Sequence, residues 1–302
     1  MSHAILIFGL GFTGRAIAQA ANAAGFAATV TTRGTPEQIP GVRVIAFDEA
    51  GSAIAAATHV VSTVPPDDDG DPVLARHGAA LRAASRLRWA GYLSTTGVYG
   101  DRGGAWVDED TAPAPGQPRS RRRLAAEREW AALAPPLAVD LFRVAGIYGP
   151  GRSALDELRA GRGRRVARPG HAFGRIHRDD IAGAVLAAAG QAAARQPAPG
   201  VRVLHLSDNE PAESAVVTAF AAELLGIEPP PAVPFARAVA GMGEMGRSFW
   251  AENRRVASAK TQAALARPWR YPSYREGLRA ILDEQGGDEQ GGAEQRGEQA
   301  GQ

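Results

Sequence analysis

The chain has 302 residues, 45% of them apolar and 22% charged, with a formal net charge of +2. That length predicts two domains or one large α/β unit that buries its core without staples, and the absence of cysteine excludes disulfides, thiolate metal sites and a cysteine nucleophile. A charge so near zero gives no electrostatic case for nucleic acid, and no apolar run approaches the roughly 18 residues that span a bilayer, so the sequence reads as a cytoplasmic protein without a membrane partner. Lys260 is the only lysine and the other 33 basic residues are arginine, so a mechanism that needs a lysine must use Lys260.

Ala4 to Gly9 is a short apolar run closed by glycine, the pattern of a buried parallel strand. An Ala-rich helix is predicted over Thr13–Ala24, stopped by Gly25, and a second strand over Ala27–Thr32. Strands follow at Val42–Phe47 and at His59–Val64, the latter stopped by Pro65-Pro66. A helix over Pro72–Arg86 leads to a fifth strand at Trp89–Thr95. Residues 97–118 form a Gly/Pro/Asp-rich loop of a length that usually serves function. A helix over Arg119–Leu133 and a sixth strand over Ala138–Val144 complete an alternation that argues for a parallel sheet covered on both faces. Beyond Gly149-Pro150-Gly151 the rhythm weakens. Helices are predicted at Ser153–Ala160, Asp179–Ala189 and Pro211–Leu225, with a strand at Val201–Ser207.

The expected fold is therefore α/β, a Rossmann-type doubly wound parallel sheet with a smaller C-terminal substrate lobe. Residues 1–145 with 176–207 form the dinucleotide-binding part, and 146–175 with 208–285 form the lobe. The tail 286–302 holds 6 Gly, 4 Asp or Glu and 4 Gln in 17 residues. It has no apolar face with which to offset its ordering entropy and is expected to be disordered.

Gly9-Leu10-Gly11-Phe12-Thr13-Gly14 closes a strand and opens a helix, the context in which G-x-G-x-x-G binds a dinucleotide. Gly9 makes the tight turn, Gly11 lets backbone approach a pyrophosphate, and Gly14 lets helix and strand pack closely. The free N–H groups of the helix N-terminus, at Phe12 and Thr13, face the phosphates. Thr32 and Arg33 end the second strand where a carboxylate would select NAD; a hydroxyl and a guanidinium suit the 2′-phosphate of NADP instead. NADP is the expected cofactor and NAD the alternative. Asp48, after the third strand, is a candidate acceptor for the adenine amino group, or else an ordinary loop acid. Asp67, Asp68, Asp69 and Asp71 precede a helix and fit a solvated cap better than a metal site, so no metal is expected.

Three further segments carry a resemblance. Ser94-Thr95-Thr96-Gly97-Val98-Tyr99-Gly100-Asp101, Arg143 through Gly151 (R-V-A-G-I-Y-G-P-G) and Ile176-His177-Arg178-Asp179-Asp180-Ile181-Ala182 stand in this order. They resemble the S-[ST]-x-x-V-Y-G-[DE], R-x-x-x-x-Y-G-P-G and [FI]-[IV]-H-[VR]-D-D-[VIL]-A segments of the extended short-chain dehydrogenases/reductases, the NAD-dependent epimerase/dehydratase family. The segment from Arg255 to Leu278 is similar to that family's C-terminal region. The likeness covers about residues 4–282 and is to an atypical branch.

The resemblance implies an oxidoreductase or epimerase-like enzyme acting on a small molecule, a nucleotide sugar or another carbonyl compound, and leaves a homodimer open. Extended members carry Y-x-x-x-K with Glu four residues further on, all on one helical face. Anchoring on Glu127 puts Arg123 at the lysine position and Arg119 at the tyrosine position. By the resemblance Thr95 holds the reacting oxygen, and Arg123 holds a ribose hydroxyl or an anion. Arg119 cannot shuttle a proton at neutral pH. Tyr99 and Tyr148 are the nearest candidates for a substitute acid, with packing inside their own turns as the rival and favoured reading. His177 either shapes the substrate pocket or serves structure. A dinucleotide-binding sensor that has lost chemistry is the alternative function.

Overall fold

In the computed structural model the described residues are 3–194 and 199–299. The elements in chain order begin with β1 (Ala4–Phe8), α1 (Phe12–Ala23), β2 (Ala27–Thr32), β3 (Arg43–Ala46), α2 (Gly51–Ala56), β4 (His59–Ser62), α3 (Pro72–Ala83) and β5 (Trp89–Thr95). They continue with β6 (Trp106–Val107), α4 (Pro118–Ala131), β7 (Ala138–Val144), β8 (Gly146–Tyr148), α5 (Ala154–Arg159), β9 (Arg165–Ala167), β10 (Arg175–His177), α6 (Arg178–Ala193) and β11 (Gly200–Leu206). The last are α7 (Ser214–Leu224), β12 (Ala232–Pro234), α8 (Phe235–Ala238), α9 (Glu244–Trp250), β13 (Arg255–Val256), α10 (Ala259–Ala264) and α11 (Tyr274–Gln299). No helix among the described residues is long and apolar enough to cross a membrane.

Seven strands form one parallel sheet in the order β11-β7-β5-β4-β1-β2-β3. This is the doubly wound Rossmann-type arrangement, in which strand order reverses beside β1. The apolar run of β1 is explained by burial on both faces. Ile5 and Ile7 point to one side, against Ile17 and Ala21 of α1 and Val185 and Ala188 of α6. Leu6 and Phe8 point to the other, with Ile54 of α2, Val73 of α3 and Trp130 of α4. The many alanines of α1 and α6 let these two helices lie close together over the sheet. A separate core joins Leu155 and Leu158 of α5, Val217 and Phe220 of α7 and Tyr274, Leu278 and Ile281 of α11.

Three features depart from the sequence reading. The short α2 lies between the third and fourth strands, where no helix was expected. The long loop after β5 holds a 3-10 turn, Thr96–Tyr99, and then β6, which pairs with β13 across the molecule. Its backbone is also satisfied from a distance, because the N–H groups of Arg102 and Gly104 both donate to the Asn253 carbonyl at 3.0 Å. The third departure is the tail. Residues 286–299, expected to be disordered, continue α11 as helical backbone. Once a helix is nucleated by a packed first half, each added residue gains a hydrogen bond without a new nucleus. Residues 300–302 lie outside the described residues.

Candidate functional site

Two clefts open at the carboxyl edge of the sheet. The first lies where strand order reverses at β1, the place where sheets of this kind receive ligands. Gly9 has φ +99°, a conformation that suits glycine. Its N–H donates to Thr31 Oγ1 at 3.2 Å, and Thr63 Oγ1 donates to the carbonyls of Phe8 and Gly9 at 3.0 Å each. A Cβ on Gly14 would stand 1.9 Å from the Gly9 carbonyl oxygen, so only glycine lets α1 cross β1 here. A Cβ on Gly11 would meet nothing within 4 Å. Among the described residues no side chain caps the N-terminus of α1 at Gly11, which leaves its first N–H groups open to an anion.

This cleft measures about 260 Å³ and is walled by Gly9, Gly11, Thr31, Thr32, Arg33, Phe47 and Val64. Thr32 Oγ1 accepts from the N–H of Gly34 at 3.0 Å, which holds the turn that presents the exposed Arg33. Phe12 and Thr13 stand outside the wall. Thr13 is buried, and the Phe12 ring packs beneath the guanidinium groups of Arg178 at 5.1 Å and Arg152 at 5.6 Å. Asp48 is not among the residues that wall this cleft. The 3-10 turn Phe47–Glu49 turns Phe47 into the cleft and Asp48 away from it, where its carboxylate pairs with Arg76 at 3.2 Å.

The second cleft, about 390 Å³, brings together Thr95, Thr96 and Gly97 at the end of β5, Gly146 and Tyr148 of β8, and Arg119 of α4. Its far wall is Phe249, Trp250, Glu252 and Arg254. Thr95 Oγ1 accepts from the N–H of Gly97 at 3.1 Å, capping the 3-10 turn, and keeps its own proton to donate. The Arg119 guanidinium carbon lies 4.0 Å from the centre of the Phe249 ring. Arg123 is not part of this wall. Its Nη1 donates instead to the Tyr92 hydroxyl of β5 at 3.3 Å.

Neither candidate tyrosine presents its hydroxyl to the cleft. Tyr99 is fully buried: its oxygen receives a hydrogen bond from Arg143 Nη1 at 2.7 Å, meets His205 Nε2 at 2.5 Å and donates to the Asp108 carbonyl at 3.1 Å. Burial raises its pKa, with Arg143 opposing. Arg143 in turn forms a two-pronged pair with Glu127, which also accepts from Ser94 at 2.6 Å. The Tyr148 ring lines the cleft, but its hydroxyl is wedged against α11, within 2.0 Å of where a Cβ on Gly277 would be. Its weak bond to the Ser273 carbonyl is 3.4 Å long, and burial raises its pKa too. Both hydroxyls are thus enclosed by partners within the fold.

His177 is buried against Tyr271 and Tyr148, and its Nδ1 accepts from the N–H of Asp179 at 3.2 Å, capping α6. Burial lowers its pKa to about 4, so it is neutral near pH 7. Asp71 likewise caps α3, accepting from the N–H groups of Val73 and Leu74 at 2.9 Å each. Lys260 bridges Asp108 and Asp110 at 2.7 and 2.5 Å on the surface. The sequence reading missed Glu252, Arg254, Phe249 and Trp250. Glu252 Oε2 accepts from Arg254 at 2.8 Å, while its buried Oε1 has no partner among the described residues. The sole local signal was a cluster of charges after an aromatic pair.

No family model matches the chain. Its structure is similar to that of a conserved protein of unknown function from Silicibacter pomeroyi DSS, with 40% identity and a TM-score of 0.85 over 94% of this chain and 99% of the other. It is also similar to a putative NAD-dependent epimerase/dehydratase from Methylobacillus flagellatus, at 25% identity and a TM-score of 0.71 over 94% and 99% of the two chains. It shares its fold with the human epimerase family protein SDR39U1, solved with NADPH, at 20% identity and a TM-score of 0.74 over 93% and 99%. With the glycine turn at the point of strand reversal, these likenesses give the chain the Rossmann-type fold of the NAD-dependent epimerase/dehydratase proteins, the extended short-chain dehydrogenases/reductases.

Proposed function

We propose that the chain is an NADP-dependent oxidoreductase or epimerase-like enzyme, with the dinucleotide in the first cleft and a small carbonyl compound or nucleotide sugar in the second. The observation that carries this reading is the open space over Gly11 on the wall that also presents Thr32 and Arg33. A pyrophosphate fits where a side chain at position 11 would intrude, and a 2′-phosphate fits against a hydroxyl and a guanidinium. SDR39U1, which shares the fold, is described with NADPH. When bound, the nicotinamide supplies or accepts a hydride.

The chain's own residues have separate tasks. The backbone of Gly9 and Gly11 and the start of α1 hold the pyrophosphate. Thr95 donates to the reacting oxygen. With both tyrosine hydroxyls enclosed, Glu252 is the one carboxyl among the described residues of the second cleft's wall and the group available there to move a proton. The enclosure of Tyr99 and Tyr148 also favours a second reading, a dinucleotide-binding sensor without chemistry.

Titration calorimetry tests the cofactor assignment. NADPH is expected to bind about tenfold or more tighter than NADH, and Arg33→Asp to reverse the order by repelling the 2′-phosphate. Equal or tighter NADH binding by the parent protein overturns the NADP reading. A screen of aldehydes, ketones and nucleotide sugars with NADPH then separates enzyme from sensor: turnover supports the first, and silence with intact NADPH binding supports the second.

A further inference from the structure

Three arginines line the second cleft, and two of them are already engaged. Arg175 donates its Nη1 to the carbonyls of Phe173 at 2.9 Å and Ala212 at 3.0 Å, with the Asp208 carboxyl beside it. Arg254 donates to the Gly100 carbonyl at 2.9 Å and to Glu252 at 2.8 Å. Arg119 has no such partner: among the described residues it makes no hydrogen bond and no ion pair, and its one specific contact is the Phe249 ring. Burial weighs against its charge, nearby Arg254 and Arg123 add repulsion, and Glu252 opposes them. A partly desolvated guanidinium with open N–H groups is an unmet electrostatic demand.

We propose that Arg119 is the anion clamp of the second cleft, and that the ligand presents a carboxylate or phosphate beside Thr95 while its apolar body lies on Phe173, Phe249 and Trp250. The proposal rests on the second cleft being the substrate site and names the substrate class for it. A guanidinium offers a planar fork that a carboxylate or phosphate oxygen pair matches. The volume of about 390 Å³ suits a small molecule. Glu252 is paired with Arg254 and the Arg175 guanidinium is held by two backbone carbonyls, so Arg119 offers the open guanidinium fork for a ligand to answer.

The test titrates the full chain, with and without NADPH, with benzoate, phenyl phosphate and neutral benzamide. Arg119→Met keeps the aliphatic stem over Phe249 and removes the charge. Arg119→Lys keeps the charge and removes the fork. At least one anion is expected to bind the parent about tenfold or more tighter than benzamide. Arg119→Met loses that advantage and leaves benzamide unchanged, while the lysine variant recovers part of it. Preference for benzoate identifies a carboxylate ligand, and preference for phenyl phosphate a phosphate. Benzamide binding as well as both anions, or Arg119→Met binding anions as the parent does, overturns the proposal. NADPH affinity of each variant reports its fold; should Arg119→Met fail to fold, the parent's anion-to-benzamide ratio and the lysine variant still decide. NADPH binding is read separately, so failure of the cofactor assignment and failure of the clamp are distinguishable.

Discussion

The two clefts lie on the same edge of one sheet but are assembled differently. The first is made by one turn, Gly9–Gly14, and by residues that end the neighbouring strands. The second joins segments far apart in the chain; Arg254 reaches the Gly100 carbonyl across 154 positions. The first depends on backbone shape, which three glycines specify locally. The second depends on which way each side chain turns, which is set by partners elsewhere. Local backbone shape inferred from spacing is therefore met at the glycine turn, whereas the placement of the Tyr99 and Tyr148 side chains turns on distant partners.

The sharpest break in that comparison comes from two neighbouring glycines. Gly14→Ala drives a Cβ onto the Gly9 carbonyl and is expected to destabilise the protein by about 3 kcal/mol or more in urea unfolding. Gly11→Ala has open space and an ordinary φ of −102°, so folding is retained while NADPH affinity falls about tenfold or more. Retained NADPH affinity in Gly11→Ala would remove the pyrophosphate from this turn.

The second cleft gives the next largest effects. With a substrate from the screen, Thr95→Ala is expected to lose turnover by roughly 10²-fold with dinucleotide affinity nearly intact. Tyr99→Phe should instead leave turnover unchanged and cost about 1–3 kcal/mol of stability, because Arg143 and His205 lose a buried partner. A large loss of kcat with unchanged stability in Tyr99→Phe would return that residue to catalysis.

A smaller effect concerns the charge stored behind that cleft. Asp208 is buried, and burial raises its pKa to about 8 despite the nearby Arg175. Its folded pKa lies above its unfolded value, so its contribution favours the folded state below the unfolded pKa and is lost as pH rises toward 8. The Tm of Asp208→Asn minus that of the parent is therefore expected to increase from pH 5 to pH 8. A flat difference would mean that Asp208 titrates normally. The smallest effect is at the C-terminus. Gln285 is bonded to Arg159 and Asp156, so truncation just after it should leave Tm and NADPH affinity unchanged within about 1–2 °C and about twofold. A fall of several degrees would assign the rest of α11 a packing role.

The sequence by itself determined the parallel sheet, because an apolar run such as Ala4–Phe8 must be covered on both faces, and alternating helices are what cover it. It also determined the shape of the glycine turn, because a positive φ at Gly9 and the contact at Gly14 admit no side chain. Tertiary structure alone decided the fate of Asp48, Tyr99, Tyr148 and Arg123, and the arrival of Glu252 and Arg254 in the second cleft. Backbone conformation is constrained by a residue and its immediate neighbours, and so can be read from spacing. The direction a polar side chain takes is constrained by the hydrogen-bond partners that burial obliges it to find, as Tyr99 finds Arg143 and His205. Those partners are brought near only when the chain has folded.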